Sequence, residues 1–270
     1  MDLGAFETAL PVKDLKRAMA FYEGLGFARE GGDVEVGVMT LRRGDCRVCL
    51  YQEGHLDPKR LQLIFWQGDI EAIAAKVEAA GIPFFRGPNK AEDGGGSFML
   101  LDPDEHPLFF IYMPVHFVNH PGHEQVAPPR TPTTPLEPDM TLGWFELALP
   151  VSDIRRSYSF YEALGFQRVG GSLDQRHVTL QNRDARIALY QGYLEPPDEP
   201  QLIFWQGDVR ATAAAMTAQG ATPAERFKDG PIETEERHVA CFLRDPDGQP
   251  IYLVNIPGVA LAEPAAAGGG

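Results

Sequence analysis

Each half of this 270-residue sequence places one acidic residue inside an otherwise apolar segment: Glu7 lies in AFETALPV and Glu146 in FELALPV. Burial of a carboxylate is costly unless it is paired or its pKa rises, and a raised pKa suits proton transfer. Each glutamate is therefore a candidate general base and a candidate ligand-recognition group. A third interpretation is structural, with the amide of Gln62 or Gln201 donating a hydrogen bond that holds the carboxylate.

The elements that must position these glutamates follow one pattern. The strand containing Glu7 is followed by Asp14 at a predicted helix N-cap, by apolar residues at helical spacing, and by Gly26 where the helix should end. Three strand-like segments come next. This strand–helix–three-strand unit recurs from Gln62 onward and twice more in the second half of the chain.

Short repeated sequences define the domain organisation. QLIFWQGD occurs at residues 62–69 and again at 201–208, and FYEGLGF at Phe21 returns as FYEALGF at Phe160. Four units thus predict two domains. The predicted parts are domains over residues 1–115 and 143–258, a Pro-rich linker over 116–142, and a disordered tail over 259–270.

Composition excludes some classes of partner. The formal net charge is −14 and the pI is about 4.9, which argues against nucleic acid, because such binding depends on Lys and Arg. No apolar run is long enough to span a membrane, and no signal-peptide pattern precedes Glu7, so we expect a cytoplasmic protein without a membrane partner. Cys46, Cys49 and Cys241 cannot all pair and are expected to be reduced. We expect a monomer or a homodimer.

The order of the motifs resembles a known superfamily. LPVKDLKRAMAFYEGLGF followed by LLDPDEHPLFFIY, and the matching pair ending in LRDPDGQPIYLVN, resemble the vicinal oxygen chelate proteins, which include glyoxalases, extradiol dioxygenases and bleomycin resistance proteins. The resemblance covers nearly the whole chain apart from the linker and the tail. It implies an α+β fold of two tandem domains, each built from two modules whose curled sheet surrounds a cavity.

Many relatives hold a divalent metal on inward-facing residues of four strands. Carried over by register, the resemblance assigns these positions to Glu7, Cys49, Gln62 and Phe109 in the first half and to Glu146, Ala188, Gln201 and Tyr252 in the second. Each set has one strong oxygen donor, whereas a divalent ion wants three or four good donors. We therefore expect neither a metal nor another cofactor, although metal chemistry in the first half stays an alternative.

Strand alternation predicts which side chains line the two cavities. Core filling is the alternative interpretation for the aromatic residues among them. The predicted ligand-binding residues are Cys49, Tyr51, Gln62, Ile64, Trp66, Phe109 and Ile111 in the first half, and Tyr190, Gln201, Ile203, Trp205, His238 and Tyr252 in the second.

These observations lead to three functional hypotheses. The first is metal-independent binding of a small hydrophobic or aromatic molecule, with sequestration of a toxic or antibiotic compound as one form of it. The second is a metal-independent lyase, isomerase or cyclase in which Glu7 or Glu146 is the catalytic general base. The third is metal-dependent glyoxalase or dioxygenase chemistry in the first domain.

Overall fold

The computed structural model describes residues 1, 3–52, 54, 56, 60–92, 94–113 and 141–258. Within these residues, each half of the chain forms one mixed β-sheet with two α-helices packed against it. The predicted tail, and the predicted linker apart from residues 141 and 142, lie outside the described residues.

The first half contains eight strands and two α-helices among the described residues. In chain order these are β1 (Gly4–Val12), α1 (Leu15–Gly24), β2 (Ala28–Asp33), β3 (Val38–Arg43), β4 (Cys46–Gln52), β5 (Gln62–Gln67), α2 (Ile70–Ala79), β6 (Arg86–Lys90), β7 (Gly96–Leu101) and β8 (Pro107–Tyr112).

The second half repeats this order with a different edge. Its elements are β9 (Trp144–Pro150), α3 (Ile154–Ala163), β10 (Gln167–Ser172), β11 (His177–Asn182), β12 (Ala185–Tyr190), β13 (Gln201–Trp205), α4 (Val209–Ala218), β14 (Thr222–Pro223), β15 (Ile232–Glu233), β16 (Val239–Arg244) and β17 (Pro250–Asn255). Two 3-10 helices, Leu173–Gln175 and Glu225–Phe227, interrupt the connections.

Aspartate caps explain where the α-helices begin. Each α-helix follows an aspartate whose side chain accepts a hydrogen bond from a backbone N–H in the first turn, which satisfies a donor that has no partner within the helix. The predicted caps are confirmed. The four caps are Asp14, Asp69, Asp153 and Asp208.

Sheet topology brings the two modules of each half together at their first strands. The order in the first sheet is β2-β3-β4-β1-β5-β8-β7-β6, with β1 antiparallel to β5 and parallel to β4. The second sheet follows the order β10-β11-β12-β9-β13-β17-β16-β14, with β15 paired to β16. The predicted α+β architecture of two tandem curled sheets is therefore confirmed. In each sheet the glutamate-bearing strand, β1 or β9, is central.

The two faces of each sheet have different surroundings. The helix side of both halves belongs to one large apolar cluster, which includes Leu10, Phe65 and Phe110 from the first half. The opposite faces carry two smaller separate clusters, one in each half. We call these opposite faces the inward faces, and both glutamates lie on them.

Matched hydrogen bonds join the halves. The backbone N–H of Phe6 donates to Asp184 at 3.2 Å, and the corresponding N–H of Phe145 donates to Asp45 at 3.0 Å. The Arg47 guanidinium also lies 3.1 Å from the Asp184 carboxylate. Because the same contact is made in both directions, the halves are related by an approximate two-fold arrangement.

The DPD turns take part in this junction as well as closing hairpins. Asp102 accepts hydrogen bonds from the backbone N–H groups of Asp104 and His106. Its other oxygen accepts from the hydroxyl of Tyr161, at 2.9 Å, and lies 2.9 Å from the imidazole of His106. The sequence analysis did not predict this contact between the halves.

No helix in the described part of the chain combines the length and the apolarity that crossing a membrane requires. The three cysteines are buried and unpaired, as the sequence predicts.

Candidate functional site

Glu146 is held by three side-chain donors on the inward face of the second half. Its Oε1 accepts hydrogen bonds from the indole N–H of Trp205 at 3.1 Å and from the hydroxyl of Tyr190 at 3.2 Å. Its Oε2 accepts from the hydroxyl of Thr179 at 2.9 Å and lies 3.8 Å from Nε of Arg186. The carboxylate is 1% exposed, so both oxygens are used inside the protein.

Glu7 has a related but different environment in the first half. Trp66 donates its indole N–H to Oε1 at 2.6 Å, and the Thr40 hydroxyl lies 3.2 Å from Oε2. The same hydroxyl is 3.3 Å from Sγ of Cys49, which in turn is hydrogen-bonded by Tyr51. Burial raises the pKa of Glu7 from 4.5 to about 6, although these donors and the charge of Arg47 oppose the rise.

The predicted pairing of Gln201 with Glu146 is wrong. The Gln201 amide donates to the backbone carbonyl of Pro196 at 3.3 Å, and Trp205 supplies the N–H that the carboxylate accepts. In the first half, Gln62 lies opposite Ala9 on the inward face. The donors to Glu7 are Trp66, Thr40 and the Cys49 thiol.

The threonines were missed by the sequence analysis, although a signal for them exists. Thr40 in VMTLRR and Thr179 in HVTLQN occupy equivalent places in the third strand of each half. Thr40 is paired with Cys49 across the β3–β4 ladder, so its side chain shares the inward face. A polar residue repeated at an inward position next to a buried acid predicts a hydrogen-bond partner.

Strand register brings most of the predicted site residues onto the inward faces. Glu7 lies opposite Ile64, Ile64 lies beside Phe109, and Ala9 lies beside Cys49. In the first half, Ile64, Trp66, Tyr51, Phe109 and Ile111 form one apolar cluster with Leu56 and Met113. In the second half, Ile203, Tyr190, Trp205 and Tyr252 form another with Leu194 and Val254.

A cavity of about 420 Å³ opens on the inward face of the second half. Predicted residues Tyr190, Gln201, Ile203, Trp205 and Tyr252 line it. Glu146 is not a lining residue, because Tyr190 and Trp205 stand between its carboxylate and the open space. The aromatic walls are Tyr190, Tyr193, Trp205, Phe227, Phe242 and Tyr252.

His238 does not belong to this cavity. The sequence predicts it in a strand facing the pocket, but the structure places it in the turn before β16, with Nε2 3.6 Å from the Glu236 carboxylate. The segment that does close the cavity carries Ala224, Arg226 and Phe227 and leads from β14 into the 3-10 helix. That segment has no strand or helix periodicity, which is why strand alternation could not identify its residues.

The first half has an open groove of about 760 Å³ at another place. It lies between α2 and the sheet edge, with Ile70 and Ala74 on one side and Pro88 and Asn89 on the other. None of the predicted ligand-binding residues lines it. On the inward face of this half, the side chain of Leu56 packs into the cluster that contains Trp66.

The donor sets do not fit a divalent metal. Glu146 already accepts three hydrogen bonds, and Ala188 has no donor atom. In the first half, burial raises the pKa of the Cys49 thiol, which opposes the thiolate that binds metals, and Phe109 has no donor group. No group of three or more His, Cys, Asp or Glu that could hold an ion occurs among the described residues.

Solved structures similar to this chain include a Mn(II)-bound glyoxalase and several dioxygenases. The Mn(II)-bound glyoxalase of Novosphingobium aromaticivorans shares 17% identity, with a TM-score of 0.51 over 92% of this chain and 80% of its own. A catechol 2,3-dioxygenase shares 17% identity, with a TM-score of 0.56 over 96% of this chain and 89% of its own. The 2,3-dioxygenase LapB of Pseudomonas sp. KL28 shares 17% identity, with a TM-score of 0.55 over 96% of this chain and 93% of its own. At this identity the similarity shows the fold alone.

No curated protein matches the sequence. The family profile for the Glyoxalase/Bleomycin resistance protein/Dioxygenase superfamily matches residues 5–110 and again residues 142–253. These two matches cover most of the chain and coincide with the two sheets. The chain therefore belongs to the Glyoxalase/Bleomycin resistance protein/Dioxygenase superfamily, as a tandem member with one such domain in each half.

Proposed function

We propose that the second half of this protein binds a small hydrophobic or aromatic molecule in its inward cavity without a bound metal. The observation that carries the proposal is the cavity of about 420 Å³ walled by aromatic side chains. Sites for small organic ligands are typically about 300–1,000 Å³, mostly apolar, and provided with few polar groups. Sequestration of a toxic or antibiotic compound is one role that such a site would serve.

The buried carboxylate of Glu146 supports this proposal through the cavity walls. Its Oε1 accepts hydrogen bonds from both Trp205 and Tyr190, which fixes the orientation of two aromatic rings that face the cavity. A site whose walls are already fixed loses less entropy when a ligand binds. Glu146 therefore acts as a positioning residue.

The general-base alternative has weaker support. A catalytic base must reach the proton that it removes, directly or through one water molecule. Glu7 is 0% exposed, and both glutamates already accept hydrogen bonds from neighbouring side chains. The raised pKa of Glu7, about 6, suits a base, but the burial that causes it also separates the carboxylate from solvent.

A cavity-filling variant tests the proposal. Ala224 lines the cavity at its edge, so Ala224→Trp should occupy the space with little change to the strands. Ala214, on the exposed side of α4, provides the matched control Ala214→Trp. The measurement is thermal shift followed by calorimetry on the full chain, with a panel of bicyclic aromatic compounds in the presence of EDTA.

We expect at least one compound to bind the wild type and the Ala214→Trp variant but not the Ala224→Trp variant. Binding that survives Ala224→Trp would place the ligand elsewhere and overturn the proposal. Binding that requires added Mn²⁺ or Fe²⁺ would overturn its metal-independent part.

A further inference from the structure

The polar groups around the second-half cavity are unevenly distributed. Two arginines, Arg226 and Arg244, line it together with one acidic residue, Glu195. The Arg244 guanidinium is neutralised, because it donates to Glu199 at 2.7 Å and to the carbonyl of Gly248 at 2.7 Å. Arg226 is the cationic lining residue that keeps its charge available.

Arg226 is exposed at the edge of the cavity. Its Cζ lies 5.7 Å from the centroid of the Phe227 ring, and within the described part of the chain it forms no ion pair. A guanidinium over an aromatic ring keeps its N–H donors free at the edge of its plane. Those donors can meet a planar anion that enters the cavity.

The charge of Arg226 acts on the hydroxyl of Tyr252, which also lines the cavity. Burial raises the pKa of Tyr252, and Arg226 opposes that rise more strongly than Glu195 adds to it. The Glu146 carboxylate lies behind Tyr190 and Trp205, where its three donors satisfy it.

Resting on the proposed function, we propose that the ligand of this cavity is an aromatic anion, with a carboxylate or a similar group attached to a flat apolar body. The body lies between the aromatic walls, the anionic group pairs with Arg226, and the Tyr252 hydroxyl donates a hydrogen bond to it. Guanidinium groups recognise carboxylates through two parallel N–H donors, which gives direction as well as attraction. A neutral isostere would keep the apolar contacts and lose this pair.

Three probes of one shape test the charge preference. They are 2-naphthoate, 2-naphthamide and 2-naphthylmethylammonium, titrated by calorimetry into the full chain at pH 7.5. We expect naphthoate to bind about tenfold more tightly than naphthamide, because hydrogen bonds to charged groups are the strong ones. The ammonium compound should bind most weakly.

Substitution of Arg226 then tests whether this residue causes the preference for naphthoate over naphthamide. Arg226→Gln should bring naphthoate down to the affinity of naphthamide, and Arg226→Lys should retain part of the difference. The matched control is Arg86→Gln, because Arg86 lies 5.8 Å over the ring of Phe85 in the other half, outside this cavity, and changes the net charge equally.

Two outcomes would overturn the inference while leaving the proposed function intact. One is equal binding of naphthoate and naphthamide that Ala224→Trp still abolishes. The other is tightest binding of the ammonium probe, which would assign recognition to Glu195. If no compound of the wider aromatic panel binds in a manner sensitive to Ala224→Trp, the proposed function fails, and this inference fails with it.

Discussion

The inward faces of the two halves share a buried, hydrogen-bonded glutamate and differ in what surrounds it. In both, a tryptophan from the fifth strand and a threonine from the third donate to the carboxylate. The aromatic cavity lies on the inward face of the second half, which also carries Glu146. The shared part of the site therefore belongs to the duplicated sheet, and the part that would contact the proposed ligand depends on residues that differ between the copies.

One difference in sequence beside the buried glutamates changes the hydrogen bond that a neighbouring tyrosine makes. Cys49 in the first half corresponds to Ala188 in the second. Where the cysteine is present, Tyr51 is hydrogen-bonded to its sulfur; where alanine replaces it, Tyr190 donates to Glu146. The third side-chain donor to the glutamate therefore differs between the halves: it is the Cys49 thiol in the first and the Tyr190 hydroxyl in the second.

The sheet edge is the second difference. In the first half, β6 runs for five residues along β7, whereas in the second half β14 has only two residues and a 3-10 helix follows it. That helix places Phe227 and Arg226 at the cavity. The two halves therefore differ at this edge segment, which is where the proposed ligand of the second half would be contacted.

The largest predicted effect comes from removing the carboxylate in the second half. Glu146→Leu leaves the indole of Trp205 and the hydroxyls of Tyr190 and Thr179 without their acceptor, and each such loss costs about 1–3 kcal/mol. We expect a decrease of about 3 kcal/mol in the free energy of unfolding, since Tyr190 and Trp205 can turn toward the cavity and recover part of the loss. Urea denaturation measures this decrease.

The matched control for that variant is Glu7→Leu in the other half. It should also destabilise the protein, because Trp66 and Thr40 lose their acceptor. In folded protein, however, only Glu146→Leu should weaken ligand binding in the second-half cavity. Equal weakening by both variants would show that the two inward faces do not act separately.

The next largest effect is a pH dependence of the free energy of unfolding, caused by the ionisation of Glu7. Burial raises its pKa from 4.5 to about 6, so the folded protein holds a proton that the unfolded chain releases between those pH values. The stabilisation is present below pH 4.5 and is lost as the pH rises through 6. The wild type should lose about 2 kcal/mol relative to Glu7→Gln between pH 4 and pH 7.

Measuring the difference between wild type and Glu7→Gln removes the contribution of other buried carboxyls, such as Asp45, whose pKa burial raises to about 7. Glutamine keeps an oxygen that can accept the indole N–H of Trp66, so the comparison isolates ionisation. Parallel curves for the two proteins would mean that the pKa of Glu7 is the same in the folded and the unfolded protein.

Much of the fold could be predicted from local sequence signals. The aspartate caps, the apolar spacing in the helices and the strand alternation gave the elements and put Glu7 and Glu146 on the inward faces. The duplicated segments predicted the two halves. These features are local, so a single sequence contains them.

The hydrogen-bond partners and the cavity edge could not be predicted in the same way. Alternation assigns a face, but Gln201 and Trp205 are both diagonal neighbours of Glu146, and side-chain reach decides between them. Gln201 instead meets the carbonyl of Pro196, in a connection without periodicity. Arg226 and Phe227 reach the cavity from another such segment, and only the folded chain brings it there.

The smallest predicted effect tests why the surroundings of Glu7 and Glu146 differ. Cys49→Ala gives the first half the residue found at Ala188, so the Tyr51 hydroxyl should leave that position and donate to Glu7, as Tyr190 donates to Glu146. Loss of the sulfur costs about 1 kcal/mol and the new hydrogen bond contributes about as much, so net stability should hardly change. The Tyr51 hydroxyl would replace the weaker Cys49 thiol as a donor to Glu7, and the stronger donor favours the ionised carboxylate and lowers the pKa of Glu7. The transition that separates wild type from Glu7→Gln should therefore move to lower pH when both proteins carry Cys49→Ala. If it stays near pH 6, the thiol does not control the tyrosine, and the two centres differ for another reason.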